Sequence, residues 1–282
     1  MGALLALVSS LAWGCADFVA GIATRRVGAL RVLSVSYPAG AIPLTLAAAF
    51  LIPGVIDADT VAWGLAVGLV GILAMYLFYR ALAAGPMGLV SPITAVLSAA
   101  IPVITGLVLG ETLAALAIAG MVLAVIAVIL VSVETGEERR VTPQALGWAL
   151  GAGVAIGLYI TGVGLSPDDS GLWVVTLGRW FGVALLCLIV LIGLRRLPWT
   201  GLSVAYPWAF VIASGVLDAT ANGIFQIAAR LDDLAIVGLI ASLYPAATVV
   251  LARVFLSERM SRVQLVGVML ALVAVAALTV SG

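Results

Sequence analysis

The chain carries little charge: Asp, Glu, Lys and Arg together make up 9% of its 282 residues, whereas 64% are hydrophobic. A soluble globular domain has about a quarter charged and about half apolar residues. A soluble core of this size cannot bury so much apolar surface. The scarcity of charge therefore excludes a water-soluble protein and indicates a lipid environment.

Histidine and lysine are both absent, and all 13 basic residues are arginine. The lack of histidine removes the commonest metal ligand and the side chain best suited to proton transfer near neutral pH. No glycine-rich nucleotide loop with a lysine is present, which excludes a primary pump within this chain. We predict no catalytic residue, no metal and no cofactor, and the zero net charge argues against a nucleic-acid partner.

Cysteine is also scarce. Cys15 and Cys187 both lie in apolar stretches, where we interpret them as small packing residues rather than a disulfide. Residues 1–12 lack the basic region of a signal peptide, so we expect the first apolar stretch to be a retained transmembrane helix.

Long apolar runs dominate what remains. Crossing about 30 Å of hydrocarbon takes about 20 apolar residues in a helix. With that length the sequence predicts an all-α integral membrane protein with ten transmembrane helices. The predicted spans are 2–23, 31–52, 61–83, 87–109, 112–133, 144–165, 171–194, 205–229, 233–256 and 262–281.

A short signature occurs twice. Leu-Gly-Glu-Thr at 109–112 and Leu-Ser-Glu-Arg at 256–259 each separate two apolar spans, and Glu111 and Glu258 lie 147 positions apart. This spacing predicts two related halves of five spans each. An odd number of spans makes the second half enter the membrane from the opposite side, so the repeats are inverted, as in many secondary transporters. The predicted units are a first repeat at 1–133, a charged linker at 134–143 and a second repeat at 144–282.

The arginines are distributed unevenly between the two sides. Ten lie in connections that follow odd-numbered spans, whereas the connections after even-numbered spans hold Arg230 alone and most of the acids. The positive-inside rule then places the odd connections in the cytoplasm and both termini outside. We expect a multi-pass protein of the cytoplasmic (inner) membrane.

The two signatures, the Trp-Gly pair at 13–14 and Tyr244-Pro245 resemble the EamA-type members of the drug/metabolite transporter superfamily. The chain departs from the family pattern at Ser257, where glycine is usual, and at Ser98, which matches Pro245. The resemblance implies gradient-linked transport or exchange of small metabolites, often export of amino acids or toxic compounds. It also implies a central cavity lined by spans 1, 3, 4, 6, 8 and 9.

Polar residues follow one face of span 8. Ser214, Asp218, Asn222 and Gln226 recur at a spacing of four, which places them on the same side of a helix. We predict that this face lines a wet, substrate-binding cavity. The alternative is a packing face whose side chains hydrogen-bond neighbouring helices.

Two further charges lie inside spans. The depth of Arg179 in span 7 matches that of Asp218, so the two can form an ion pair, which either binds a zwitterionic substrate or neutralises two costly charges. Asp17 in span 1 is the predicted proton-coupling residue. The alternative for Asp17 is an interfacial charge that snorkels, and Arg80 at the edge of span 3 is a candidate partner for it.

Other candidates are aromatic or lie at helix ends. Trp13, Tyr79 and Tyr244 are predicted to contact substrate, with simple packing as the alternative. Glu111 and Glu258 each begin a helix, where an acid is stabilised as a cap. The prolines of spans 4 and 9 leave backbone carbonyls unpaired, which suggests gating helices; these prolines are Pro92, Pro102 and Pro245.

Taken together, these patterns predict a secondary-active transporter of small metabolites, with export of amino acids or related compounds by alternating access. The expected partners are a small-molecule substrate, protons and the lipid bilayer, and ten spans suffice for a functional monomer. The alternatives are uptake or exchange of sugars or other metabolites, a membrane enzyme, and a non-transporting scaffold. No enzyme motif is present, so we predict that the chain is not an enzyme.

Overall fold

The computed structural model describes residues 1–85, 87–110, 115–132, 142–193 and 208–256, together with 262–263, 266–267, 269–270 and 273. These residues form helices and connections without any strand. The helices are α1 Gly2–Val27, α2 Ala29–Leu46, α3 Ala58–Ala84, α4 Met87–Val108, α5 Ala115–Ser132, α6 Pro143–Gly164, α7 Trp173–Gly193, α8 Trp208–Ala228, α9 Leu234–Ala241 and α10 Tyr244–Leu256.

The protein is an all-α integral membrane protein. The apolar helices α1, α2, α3, α6, α7 and α8 are each long enough to cross a bilayer, α2 with the π-helical turn Ala47–Leu51 that continues it. Polar residues cap the N-terminal ends of two of these helices, α3 and α6. The Asp57 carboxylate accepts a hydrogen bond from the Thr60 backbone N–H at 2.8 Å, which caps α3. The hydroxyl of Thr142 caps α6 in the same way.

Predicted span 9 is divided into α9 and α10 by a turn at Ser242 and Leu243. Pro245 has no N–H to offer the carbonyl of Ala241 four residues earlier, so a continuous helix would lose a hydrogen bond here. At the turn, the Ser98 hydroxyl of α4 donates to the Ser242 hydroxyl at 3.3 Å. Span 4, which contains Pro92 and Pro102, behaves differently, because α4 is continuous from Met87 to Val108.

Three predictions fall wholly or largely outside the described residues. They concern the helix-capping acids Glu111 and Glu258, the charged part of the linker, and most of predicted span 10.

Helix packing follows the duplication. α1 packs along α8 as α6 packs along α3, and α2 packs on α8 as α7 packs on α3. In the same way, α4 contacts α6, while α9 and α10 contact α1. Exchanging the first and second halves of the chain therefore reproduces the pattern of neighbours, as expected for two structural repeats.

The two repeats run in opposite directions. Near its C-terminal end, α1 reaches the turn after α3, where the Arg25 guanidinium donates to the Gly85 carbonyl at 3.2 Å. The first turn of α6 lies at the same place, since a Cβ added to Gly85 would be 3.3 Å from the Cβ of Ala145. Thus α1 ends where α6 begins, and the repeats are inverted.

Glycines bring helices of the two repeats into backbone contact at two related places. A Cβ added to Gly215 of α8 would lie 2.1 Å from the Ser36 carbonyl oxygen of α2. A Cβ added to Gly68 of α3 would lie 2.5 Å from the carbonyl oxygen of Gly178 on α7. Only residues without a side chain allow helices to approach this closely, and the central cavity lies between these helix pairs.

Candidate functional site

A cavity lies between the helices of the bundle, with about 760 Å³ of unfilled space when its open mouth is included. Both repeats contribute to its wall, through α1, α2 and α3 on one side and α6, α7, α8 and α10 on the other. Six of the predicted site residues line it: Trp13, Asp17, Arg179, Asp218, Asn222 and Tyr244.

Arg179 and Asp218 form an ion pair in the cavity wall. Asp218 lies at the middle of α8, ten residues from either end, and Arg179 reaches it from α7. The guanidinium also donates to backbone carbonyls of Ser36, Tyr37 and Gly215, at 3.3, 3.3 and 3.1 Å. The buried cation is therefore held by one carboxylate and three carbonyl dipoles, which offset much of its desolvation cost.

Asn222 extends this polar wall by one helical turn. Its amide N–H donates to the Asp218 carbonyl at 2.7 Å, and its side-chain oxygen accepts a hydrogen bond from the Tyr159 hydroxyl of α6 at 2.6 Å. These bonds fix the orientation of the Asn222 amide. The side chains of Asn222 and Tyr159 both line the cavity.

Asp17 lies in the α1 wall and is 5% exposed. The described residues provide no hydrogen bond or ion pair to its carboxylate. The candidate partner Arg80 makes other contacts. Arg80 instead donates to the Tyr76 hydroxyl at 3.2 Å, and its guanidinium lies 4.9 Å from the centre of the Trp148 ring.

Aromatic rings form the wall beside Asp17. Trp13 lies one helical turn before Asp17 on α1, and its ring packs 5.6 Å from that of Phe225. Tyr244, at the start of α10, meets the edge of the Phe78 ring at 6.1 Å. Trp13, Phe78 and Tyr244 all line the cavity.

The remaining predicted site residues lie away from the cavity wall. The Ser214 hydroxyl donates to the Ala16 carbonyl at 3.0 Å and ties α8 to α1. Gln226 is fully buried near the end of α8, where its amide donates to Ser166 at 3.5 Å. Tyr79 is buried, and its ring lies 6.3 Å from that of the preceding residue, Phe78, which lines the cavity. The polar stripe on α8 is thus divided, with its middle at the cavity and its ends in helix contacts.

The sequence reasoning missed Tyr37. Its ring lies 4.2 Å from the Arg179 guanidinium carbon, and its carbonyl accepts a hydrogen bond from the same group. The available signal was a tyrosine next to Pro38 inside an apolar span. Phe78 was missed because an apolar ring in an apolar helix carries no distinguishing pattern.

The two repeats place different chemistry at equivalent positions. With the offset of 147, Asp218 corresponds to Gly71 and Asn222 to Met75. All four positions line the same cavity. The second repeat therefore supplies the carboxylate and the amide. The first repeat supplies a glycine, which has no side chain, and an apolar methionine.

Two inverted helical repeats around a charged intramembrane cavity define a multi-pass membrane protein built for solute passage. A model of the EamA-like transporter family matches residues 1–133 and 144–280. The chain belongs to this family and is a membrane transporter of small molecules.

The fold also occurs among solved structures. One crystal structure, described only as that of a protein, superposes with a TM-score of 0.75 at 16% sequence identity. The match covers 99% of this chain and 96% of the other. No curated protein matches the chain.

Proposed function

We propose that the chain is a secondary-active transporter that exports amino acids or related small metabolites. Transport proceeds by alternating access between the inverted repeats. The observation that supports this most is the cavity, which lies beside the middle of α8, is bounded by both repeats and contains buried charge. Charged groups inside a membrane protein are costly and mark solute or proton pathways.

Each cavity residue has a proposed role. Asp218 and Asn222 contact the substrate, and Arg179 provides the counter-charge of Asp218. Asp17 is the proton-coupling group, since its carboxylate faces the cavity without a basic partner among the described residues. A carboxylate in this position can take up and release a proton as the cavity changes sides.

The aromatic residues of the wall complete the site. The Trp13 and Tyr244 rings would pack on the apolar part of the substrate. Because one chain encloses the cavity, we propose that a monomer is the functional unit. We place it in the inner membrane with both termini outside, in agreement with the arginine distribution.

A reconstituted system tests this function. Purified protein in liposomes, with an imposed pH gradient, is assayed for flux of labelled amino acids, sugars, nucleosides and organic cations. We expect gradient-dependent flux of at least one amino acid or related metabolite. Asp218→Asn should abolish it, and Asp59→Asn, at an exposed acid of the first turn of α3, should leave it unchanged.

Three results would contradict parts of the proposal. Flux that ignores the pH gradient and other ion gradients indicates facilitated exchange rather than secondary-active transport. Flux in Asp218→Asn at the wild-type rate removes Asp218 from the site. Movement of sugars alone would favour the alternative of sugar uptake or exchange.

A further inference from the structure

We propose that the cavity binds an organic ammonium ion with an aromatic or branched apolar body, and that Asp17 is its counter-ion. This inference rests on the proposed function, because it names the class of substrate for the same cavity. It narrows that class to amines that lack a carboxylate beside the nitrogen.

The charge balance of the cavity wall favours a cation. Among the described residues, the charged side chains that line the cavity are Asp17, Asp218 and Arg179. The ion pair between Arg179 and Asp218 accounts for one carboxylate, and an ionised Asp17 adds one negative charge that no described side chain of the wall balances. Asp17 and Asp218 line the same cavity, from α1 and α8. A monocation makes the cavity neutral.

Arg179 is poorly placed to bind a substrate carboxylate. A guanidinium recognises a carboxylate best through two parallel N–H donors. Four of the hydrogen bonds that Arg179 donates end on Asp218 and on the carbonyls of Ser36, Tyr37 and Gly215. A guanidinium has only five N–H groups, so the fork needed for a second carboxylate is already in use. A zwitterionic amino acid would place its carboxylate against Asp218 without a partner.

Two groups in the cavity wall have acceptor capacity to spare. The Asp17 carboxylate has no hydrogen-bond or ion-pair partner among the described residues and is 5% exposed. The Tyr244 hydroxyl is buried and likewise has no partner within the part of the chain that the structure describes. The two groups line the same cavity from α1 and α10, which pack against each other. Buried polar groups are normally satisfied, so this pair indicates a donor that arrives with the ligand. An ammonium group supplies several N–H donors and a positive charge together.

The wall next to these groups suits the rest of such a ligand. Trp13 shares the Asp17 face of α1, and Phe78 meets Tyr244 edge to face. Aromatic faces attract ammonium ions and also pack against apolar bodies. Ile156 and Ile160 of α6 extend the apolar surface of the cavity. The ammonium group of the ligand would lie at Asp17, and its apolar body would pack along these aromatic and aliphatic side chains.

Three molecules of similar shape test this inference directly. Phenethylamine is a cation at pH 7, phenethyl alcohol is its neutral analogue, and phenylalanine carries the same ring with both charges. Isothermal titration on the purified wild-type protein in detergent gives the Kd of each. We expect phenethylamine to bind at least about tenfold more tightly than either of the other two. Asp17→Asn should reduce its affinity to that of the alcohol.

A second variant and a control keep the test independent of folding. Tyr244→Phe keeps the ring and removes the hydroxyl, and it should weaken phenethylamine by a smaller factor, about three- to tenfold. Asp59→Asn should bind phenethylamine as wild type does, and the melting temperature of each variant reports whether it is folded. The comparison of the three ligands on wild-type protein needs no variant at all.

The inference is overturned if phenylalanine binds as tightly as phenethylamine. Undiminished phenethylamine binding by folded Asp17→Asn overturns it too, as does the absence of binding at millimolar concentration. Gradient-driven flux of phenylalanine without amine binding would reject the inference and leave the proposed function standing. Amine binding without flux of any metabolite in liposomes would reject the transport function and leave the site.

Discussion

The Arg179 guanidinium and the Asp218 carboxylate form an ion pair between α7 and α8 in the interior of the bundle, with side chains 7% and 6% exposed. Arg179 also binds two carbonyls of α2. Since α2 belongs to the first repeat and Arg179 to the second, this side chain connects the two halves beside the cavity. A state in which the halves separate here must find other partners for the buried cation.

Removing one partner of this pair should be costly. Arg179→Met leaves Asp218 buried without a counter-charge, and we expect the free energy of unfolding to fall by about 3–5 kcal/mol. Asp218→Asn should cost less, because Arg179 keeps its three carbonyl acceptors. Unfolding in mixed micelles, followed by tryptophan fluorescence, measures both. The double variant should lose less than the two single losses together, and additive losses would show that the pair is not coupled.

Gly40 should be intolerant of even one methyl group. An added Cβ would lie 2.3 Å from the Gly215 carbonyl oxygen and 2.7 Å from Nη2 of Arg179. Gly40→Ala must therefore push α2 away from α8 and disturb the guanidinium, with a loss of about 1–3 kcal/mol. Gly147 of α6 is the matched control, since nothing lies within 4 Å of its added Cβ. Gly147→Ala should be neutral or stabilise by up to about 1 kcal/mol from helix propensity. Equal effects would contradict the close approach.

The turn between α9 and α10 should be needed for movement rather than for stability. Pro245→Ala supplies an N–H to the Ala241 carbonyl and favours a continuous helix through Ser242. We expect the melting temperature to stay the same or rise while transport in liposomes slows. A variant with wild-type transport would show that the break has no part in the transport cycle. Pro143→Ala, at the first position of α6 where proline fits without strain, is the control.

The side on which the termini lie can be measured directly. A reporter that works only outside the cytoplasm, fused after Gly282, should be active, and one that works only inside should be silent. The structure places a basic and an acidic residue at opposite ends of α1. Arg25 lies near the C-terminal end, at the Gly85 turn, and the Asp232 carboxylate accepts a hydrogen bond from the Ala3 backbone N–H near the N-terminal end at 3.4 Å. The opposite reporter result would reverse the assignment of sides without altering the fold.

The fold was predictable from the sequence because lipid imposes a simple rule on length and hydropathy. The duplicated Leu-x-Glu signature set the register of the two halves, and the number of spans per half gave their inversion. The division of span 9 was harder to predict. Pro92, Pro102 and Pro245 look alike in sequence, yet α4 continues through its prolines while the last one coincides with a turn.

The candidate site was predictable where charge marked it. Asp17, Arg179 and Asp218 are conspicuous in apolar helices, and the structure brings them to one cavity. The limits of the polar stripe were not predictable, because a spacing of four fixes a helix face but not the length over which that face meets a neighbour. Ser214 accordingly bonds α1, and Gln226 reaches Ser166 instead of the cavity. Whether the cavity residues contact substrate stays a prediction.

The correspondence between Asp218 and Gly71 has a consequence for the resting protein. In a transporter whose inverted halves were identical, exchanging the conformations of the two halves would convert the inward-open form into the outward-open form, and the two forms would be equal in energy. Here the ion pair lies wholly in one half, and the other half has a glycine at the position of the carboxylate. Exchanging the conformations of the halves therefore does not reproduce the same structure. Symmetry therefore does not require the two forms of the empty protein to be equally populated.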